Sequence, residues 1–248
     1  LYGIIYINCY RKEIFINMKD ESLNFKSNII LLVSLVIIGC VSMAFVDGVL
    51  SPNYMIKSIF KLIIFLLLPC IYYFKSNSII SLKNLFKINK EHIIKSIFLG
   101  VGVYILILLT YFTLGCLFDF SSVTNSLENN IGVNSRNFIF VALYISFINS
   151  LLEEIFFRGF AFITLKNISS KKVAYIFSSF TFSIYHVAMM TTWFDIILLI
   201  LLIFSLFISG MFFNYLDDKN NNIYNSWFVH MFANFAINTI GFILFGII

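Results

Sequence analysis

Glu153, Glu154, Arg158, His186, His230 and Asn234 are the residues of this sequence whose types and spacing could do chemistry. The first three interrupt an apolar run, Asn149-Ser150-Leu151-Leu152-Glu153-Glu154-Ile155-Phe156-Phe157-Arg158-Gly159. At membrane depth an ionisable side chain costs about 2.5 to 3.5 kcal/mol on insertion scales, so it faces a partner or a wet cavity and marks a functional hypothesis. On a helix Glu154 and Arg158 stand at i and i+4, where carboxylate and guanidinium can pair, while Glu153 points about 100° away at about 3.6 residues per turn. One carboxylate is thereby neutralised and the other left over. Taken alone, the stretch also suits a solvated juxtamembrane patch.

The remaining polar residues suggest what the leftover carboxylate could do. Glu153 with His186 is a pair able to take a proton from water and orient it. His230 and Asn234, at i and i+4 on one helix face, carry N–H groups that could hold the oxyanion of a tetrahedral intermediate. Phe182 and His186 share a face in the same way. Asn149 lies one turn before Glu153, and Asn238 continues the face of His230 and Asn234. The set matches the parts needed to hydrolyse an amide with water. Glu153, His186 and His230 could equally supply the three ligands of a catalytic Zn2+ with an open fourth position. No His-Glu-x-x-His is present, so the cofactor stays unspecified, with zinc an open alternative.

These residues have to be positioned by membrane helices. The 248-residue chain is 60% hydrophobic and 12% charged, against about 25% charged in ordinary soluble domains. Apolar runs of helix-spanning length recur and the alternating pattern of an outer-membrane barrel does not. The expected fold class is all-α, a polytopic transmembrane helix bundle with spans near 28–46, 55–74, 93–118, 137–164, 172–190, 194–213 and 225–247. The net charge of +5 belongs to lysines between the spans and implies membrane lipids as partners, not nucleic acid. The four cysteines, Cys9, Cys40, Cys70 and Cys116, are widely separated and support neither a disulfide framework nor a zinc knuckle.

Of the 17 Lys and Arg, all but Lys57, Lys61 and Arg136 fall on one side of the spans, which places the N-terminus in the cytosol. Residues 1–27 then form a cytosolic leader, with residues 1–17 ahead of a candidate start at Met18. Residues 28–136 make N-terminal transmembrane helices and 137–248 the membrane core that holds the polar residues. Glu153 lies about 18 Å from the cytosolic end of its span, His186 about 21 Å and Asn234 about 14 Å, at about 1.5 Å per residue. Glu153 and Glu154 read as the only acids deep within a span, and one cavity could take all the polar groups. The third histidine, His92, reads as a solvated loop residue.

The motifs Glu153-Glu154-x-x-x-Arg158, Phe182-x-x-x-His186 and His230-x-x-x-Asn234, in this order on successive late spans, resemble the CAAX-protease and bacteriocin-processing (CPBP, Abi) family of intramembrane endopeptidases. The resemblance covers about residues 137 to 247, and no motif residue departs from the pattern. It implies a multi-pass cell-membrane protease of glutamate or metal type that cleaves a membrane-bound peptide or protein. Glu153 and His186 would activate water, His230 and Asn234 would stabilise the oxyanion, and Arg158 would fix Glu154. Eukaryotic members act on prenylated proteins, and bacterial ones are associated with bacteriocin maturation and self-immunity. A non-catalytic immunity or peptide-binding protein of the same fold is the alternative. A proton-coupled transporter would use similar groups, but neither repeat symmetry nor broken helices are evident.

Overall fold

The computed structural model describes residues 25–76, 85–191 and 193–248. The leader as far as residue 24, with Met18 and Cys9, lies outside the described residues. Among the described residues seven helices are long and apolar enough to cross a membrane: α1 (Phe25–Leu50), α2 (Tyr54–Ser76), α3 (Lys90–Leu117), α5 (Phe138–Ile168), α6 (Lys171–Met190), α7 (Ile196–Asp218) and α8 (Tyr224–Leu244). A short helix, α4 (Ser121–Ile131), occupies the connection between the third and fourth spans. There is no strand among the described residues. The expected spans are matched within a few residues at each end, because hydropathy over about 20 residues is the dominant local signal in such a chain.

Side chains that begin and stop these helices are legible in the chain itself. Asn89 caps α3 by accepting from the Glu91 and His92 N–H groups. Ser170 does so for α6 through Val173, and Asp195 for α7 through Ile197 and Leu198. Each satisfies helix-start donors that have no intrahelical partner. The last turn of α1, Val46–Leu50, widens to π geometry and is stopped by Ser51 at φ 39, with its N–H on the Val46 carbonyl and Pro52 next in sequence.

The bundle is built around α5. From Phe156 to Leu165 every residue of this helix is buried, as expected of a helix enclosed on all sides by others. Its aromatic side chains key into the neighbours: Phe156 stacks on Phe65 of α2 at 4.2 Å between centroids, Phe157 meets Phe182 of α6 at 5.4 Å, and Phe160 packs on Tyr72. The outward faces of α1, α2, α3 and α7 expose large apolar side chains such as Ile30, Phe74, Phe98 and Ile197. Lipid tails are the natural neighbours of such a surface. Cys40, Cys70 and Cys116 are free.

One expectation is corrected. Lys61, counted above as an outer-side residue, lies within α2 and is only 5% exposed. Two acids near span ends are enclosed as well. Asp217, near the end of α7, is fully buried and accepts from the Ser226 N–H at 3.0 Å and hydroxyl at 2.6 Å. Asp47 of α1 is enclosed and pairs with Lys57 at 2.8 Å. In both cases a neighbouring helix supplies the partner, which a count along one span cannot register.

Close helix approach depends on small residues, as is usual where apolar helices gain nothing from leaving lipid and associate by packing. A Cβ on Gly210 of α7 would stand 3.0 Å from Ser179 Cα of α6. Gly210→Leu is therefore expected to cost about 1–3 kcal/mol, the range for overpacking a filled interface. Gly102→Leu, where a Cβ has no atom within 4 Å, should be neutral or slightly stabilising. Melting curves of the two detergent-solubilised variants check the contrast.

Candidate active site

The polar groups meet inside the bundle, with α5 supplying both carboxylates. Its backbone is π-helical from Tyr144 to Asn149 and again from Glu154 to Thr164, with one α turn, Ser150–Glu153, between. A π turn closes i→i+5 instead of i→i+4 and so adds a residue per turn; such segments are frequent at functional sites. The change bears directly on the two glutamates. Sequence spacing on an ideal helix separates them by about 100°, whereas in the widened helix both reach the same imidazole. His230 Nδ1 lies 2.7 Å from Glu154 Oε1, and His230 Nε2 lies 3.6 Å from Glu153 Oε2.

Glu154 is the anchored member. Its other oxygen pairs with Arg158 Nε at 3.2 Å. Both side chains are fully buried, and the guanidinium lies between two rings, 4.1 Å from the Phe182 centroid and 4.9 Å from that of Phe213. Phe213 also stacks on His230, with centroids 5.2 Å apart. Phe182 lies edge-on to His186 and to His230. Phe182 is thus both packing and a wall shared by the cation and the two imidazoles.

Glu153, 2% exposed, faces the rest. His186 Nε2 is 4.0 Å from Glu153 Oε1. The backbone holds this histidine at a local break in α6. Its N–H bonds to Ser183 O, three residues back, and its ring takes the Phe182 carbonyl four residues back, at 2.7 Å from Nδ1. A carbonyl only accepts, so His186 carries its proton on Nδ1 and turns an Nε2 lone pair toward Glu153. His230 is oriented in the same sense by Glu154, which also accepts from Nδ1. Two imidazole Nε2 atoms and one carboxylate therefore converge, and the two protons of a water would serve Glu153 and His186.

Asn234 lies one turn from His230 and is 8% exposed. One of its amide protons is committed to Ile145 O at 3.2 Å, leaving the other for a ligand. Asn238 ties α8 to α5 through Ala142 O and the Ser146 hydroxyl. These bonds go to the π-widened turn of α5 and hold the Asn234 face against it. His92 is outside the cluster, on the exposed start of α3 beside Asn220.

Lys61 is the side chain that sequence reasoning missed. Its ammonium contacts Glu153 Oε1 at 2.5 Å and the Asn149 Oδ1, and Asn149 Nδ2 donates to the same Glu153 oxygen at 3.2 Å. The signal was available: a lysine inside an apolar span is as costly as a glutamate there. Both histidines have their Nδ1–H held by an acceptor, as in zinc sites. The third ligand such a site would need, Glu153, is held by an ammonium, and among the described residues no three His, Cys, Asp or Glu side chains could hold a metal ion. As placed, these residues suit a water better than a zinc ion.

Removing one partner of a buried ion pair leaves an uncompensated charge, at a cost of about 3–5 kcal/mol. Arg158→Met should therefore lower the detergent melting temperature sharply, and Arg158→Lys should recover only part of the loss because an ammonium lacks the flat face that a guanidinium lays on an aromatic ring.

Comparison with known families agrees with the order of these motifs. Residues 135–236, which carry Glu153 through Asn234, match the family model described as type II CAAX prenyl endopeptidase Rce1-like. No curated protein and no solved structure gives a significant match. The matched segment contains all of α5, α6 and α7 and the first half of α8, and the match is consistent with the CAAX-protease and bacteriocin-processing family of membrane endopeptidases.

Proposed function

We propose that this protein is an intramembrane endopeptidase that hydrolyses a peptide bond of a membrane-associated or lipid-anchored protein or peptide. The observation that carries the reading is the convergence of Glu153 with the Nε2 atoms of His186 and His230, within 4.0 Å and 3.6 Å, inside a segment matching prenyl endopeptidases.

In this reading a water lies between Glu153 and His186. Glu153 takes its proton as the water oxygen attacks the scissile carbonyl carbon, while the His186 Nε2 lone pair accepts the water's second proton as a hydrogen bond and fixes its direction. The tetrahedral oxyanion is held by His230 and by the uncommitted amide proton of Asn234. With Nδ1–H donated to Glu154, His230 offers an Nε2–H only as imidazolium, so its oxyanion role requires that form. Collapse breaks the C–N bond, and the proton held by Glu153 passes to the leaving nitrogen. Arg158 holds Glu154, and Glu154 holds His230. Neither of those two charged groups touches the substrate in this scheme.

The substrate class follows from the family's prenyl-protein chemistry and from the lipid-facing apolar helices around the site. An internally quenched peptide ending in a farnesylated Cys followed by three residues is the first probe. The intact protein in nanodiscs should cleave it, and His186→Ala at equal abundance should lose about 100- to 10,000-fold in kcat, the usual worth of a positioned proton-transfer partner. Undiminished cleavage by His186→Ala would remove the histidine from the reaction.

A further inference from the structure

Lys61 stands on α2, outside the segment matched by the family model, yet no other cation is as close to Glu153 among the described ion pairs. Its Nζ lies near two aromatic rings, 5.4 Å from the Phe65 centroid and 5.0 Å from that of Tyr185. The lysine one turn earlier, Lys57, is occupied by Asp47 of α1, so the two lysines have separate anions. Lys61, Asn149 and Glu153 form a closed triangle in which both donors act on the single oxygen Oε1. Oε2 is left to face His230. Phe65 and Tyr185 on the Lys61 side, and Leu152 and Phe156 along α5, are all buried.

Accepting Glu153 as the base, we propose that Lys61 is a positioning residue of the catalytic site. Its ammonium supplies the countercharge to Glu153 and fixes Oε1, the oxygen nearer His186, while Oε2 faces His230. The site would then be assembled from both halves of the chain, with α2 as an essential wall.

Two sets of measurements test this, one of them without substrate. Melting temperatures in detergent are taken for Lys61→Met, Glu153→Gln and the double variant. Each single change should lower the midpoint by about 5 °C or more, because it strands a buried charge, and the double should return most of that loss. Additive losses would overturn the pairing. With the quenched farnesylated peptide, Lys61→Met should lower kcat about 100-fold with KM within about twofold, and Lys61→Arg should restore about a tenth of the intact rate, because the defect is one of orientation at the reacting centre. A folded Lys61→Met with kcat within about twofold of the intact protein would sink the proposal. So would loss of activity on chelation that added zinc restores. If the intact protein leaves the peptide uncut, the proposed substrate class fails, and the stability cycle alone decides whether Lys61 belongs to Glu153.

Discussion

Charge neutrality in an apolar interior governs this structure. Two carboxylates and two cations are buried within a few residues of one helix, and none of them is stabilised by bulk water. Each carboxylate has its own cation: Glu154 with Arg158 on the same helix, Glu153 with Lys61 from the next. The formal charges of these four side chains sum to zero, before the proton that His230 carries in the proposed reaction is added. Breaking either pair leaves a charge whose desolvation is uncompensated, a penalty of several kcal/mol. The aromatic packing around Arg158 and Lys61 is then a consequence, since a guanidinium or ammonium over a ring retains part of the interaction it loses with water.

A second constraint is geometric. Neighbouring carboxylates on an ideal α-helix diverge, yet both must reach His230. His230 meets both because it turns one ring nitrogen to each, Nδ1 to Glu154 and Nε2 to Glu153, with α5 turns that are π-widened before and after the pair. On α6 a comparable economy operates: the Phe182 carbonyl freed by the local break is taken by the His186 ring. Backbone irregularity at two places thus sets the proton positions of both imidazoles. With Nδ1 committed on each ring, both Nε2 atoms face one carboxylate.

Much of this was readable from residue order. Span positions followed from hydropathy, since runs of about 20 apolar residues have few other uses. The Glu154–Arg158 pair followed from i,i+4 spacing, and the meeting of Glu153, His186 and His230 from their shared depth. Three features were not readable. The π geometry has no signature in local composition, so the bond from Glu154 to His230 was hidden. Asp217 lies at a span end, where an acid is ordinarily solvated, and only tertiary contact with Ser226 shows it buried. Lys61 was legible on cost alone but was absorbed into the tally of basic residues that set orientation. Its partner is distant in sequence, and nothing along α2 indicates which helix supplies it.

The assignment of each carboxylate to its own cation separates an anchoring acid from a reacting one, and crossed mutant cycles on stability test it most directly. Arg158→Met is combined in turn with Glu154→Gln and with Glu153→Gln, and melting is followed in detergent. The account predicts that Glu154→Gln recovers most of the stability lost with Arg158→Met, while Glu153→Gln adds a further loss because it strands Lys61. Equal recovery by the two glutamine substitutions, or recovery by Glu153→Gln alone, would contradict the partition.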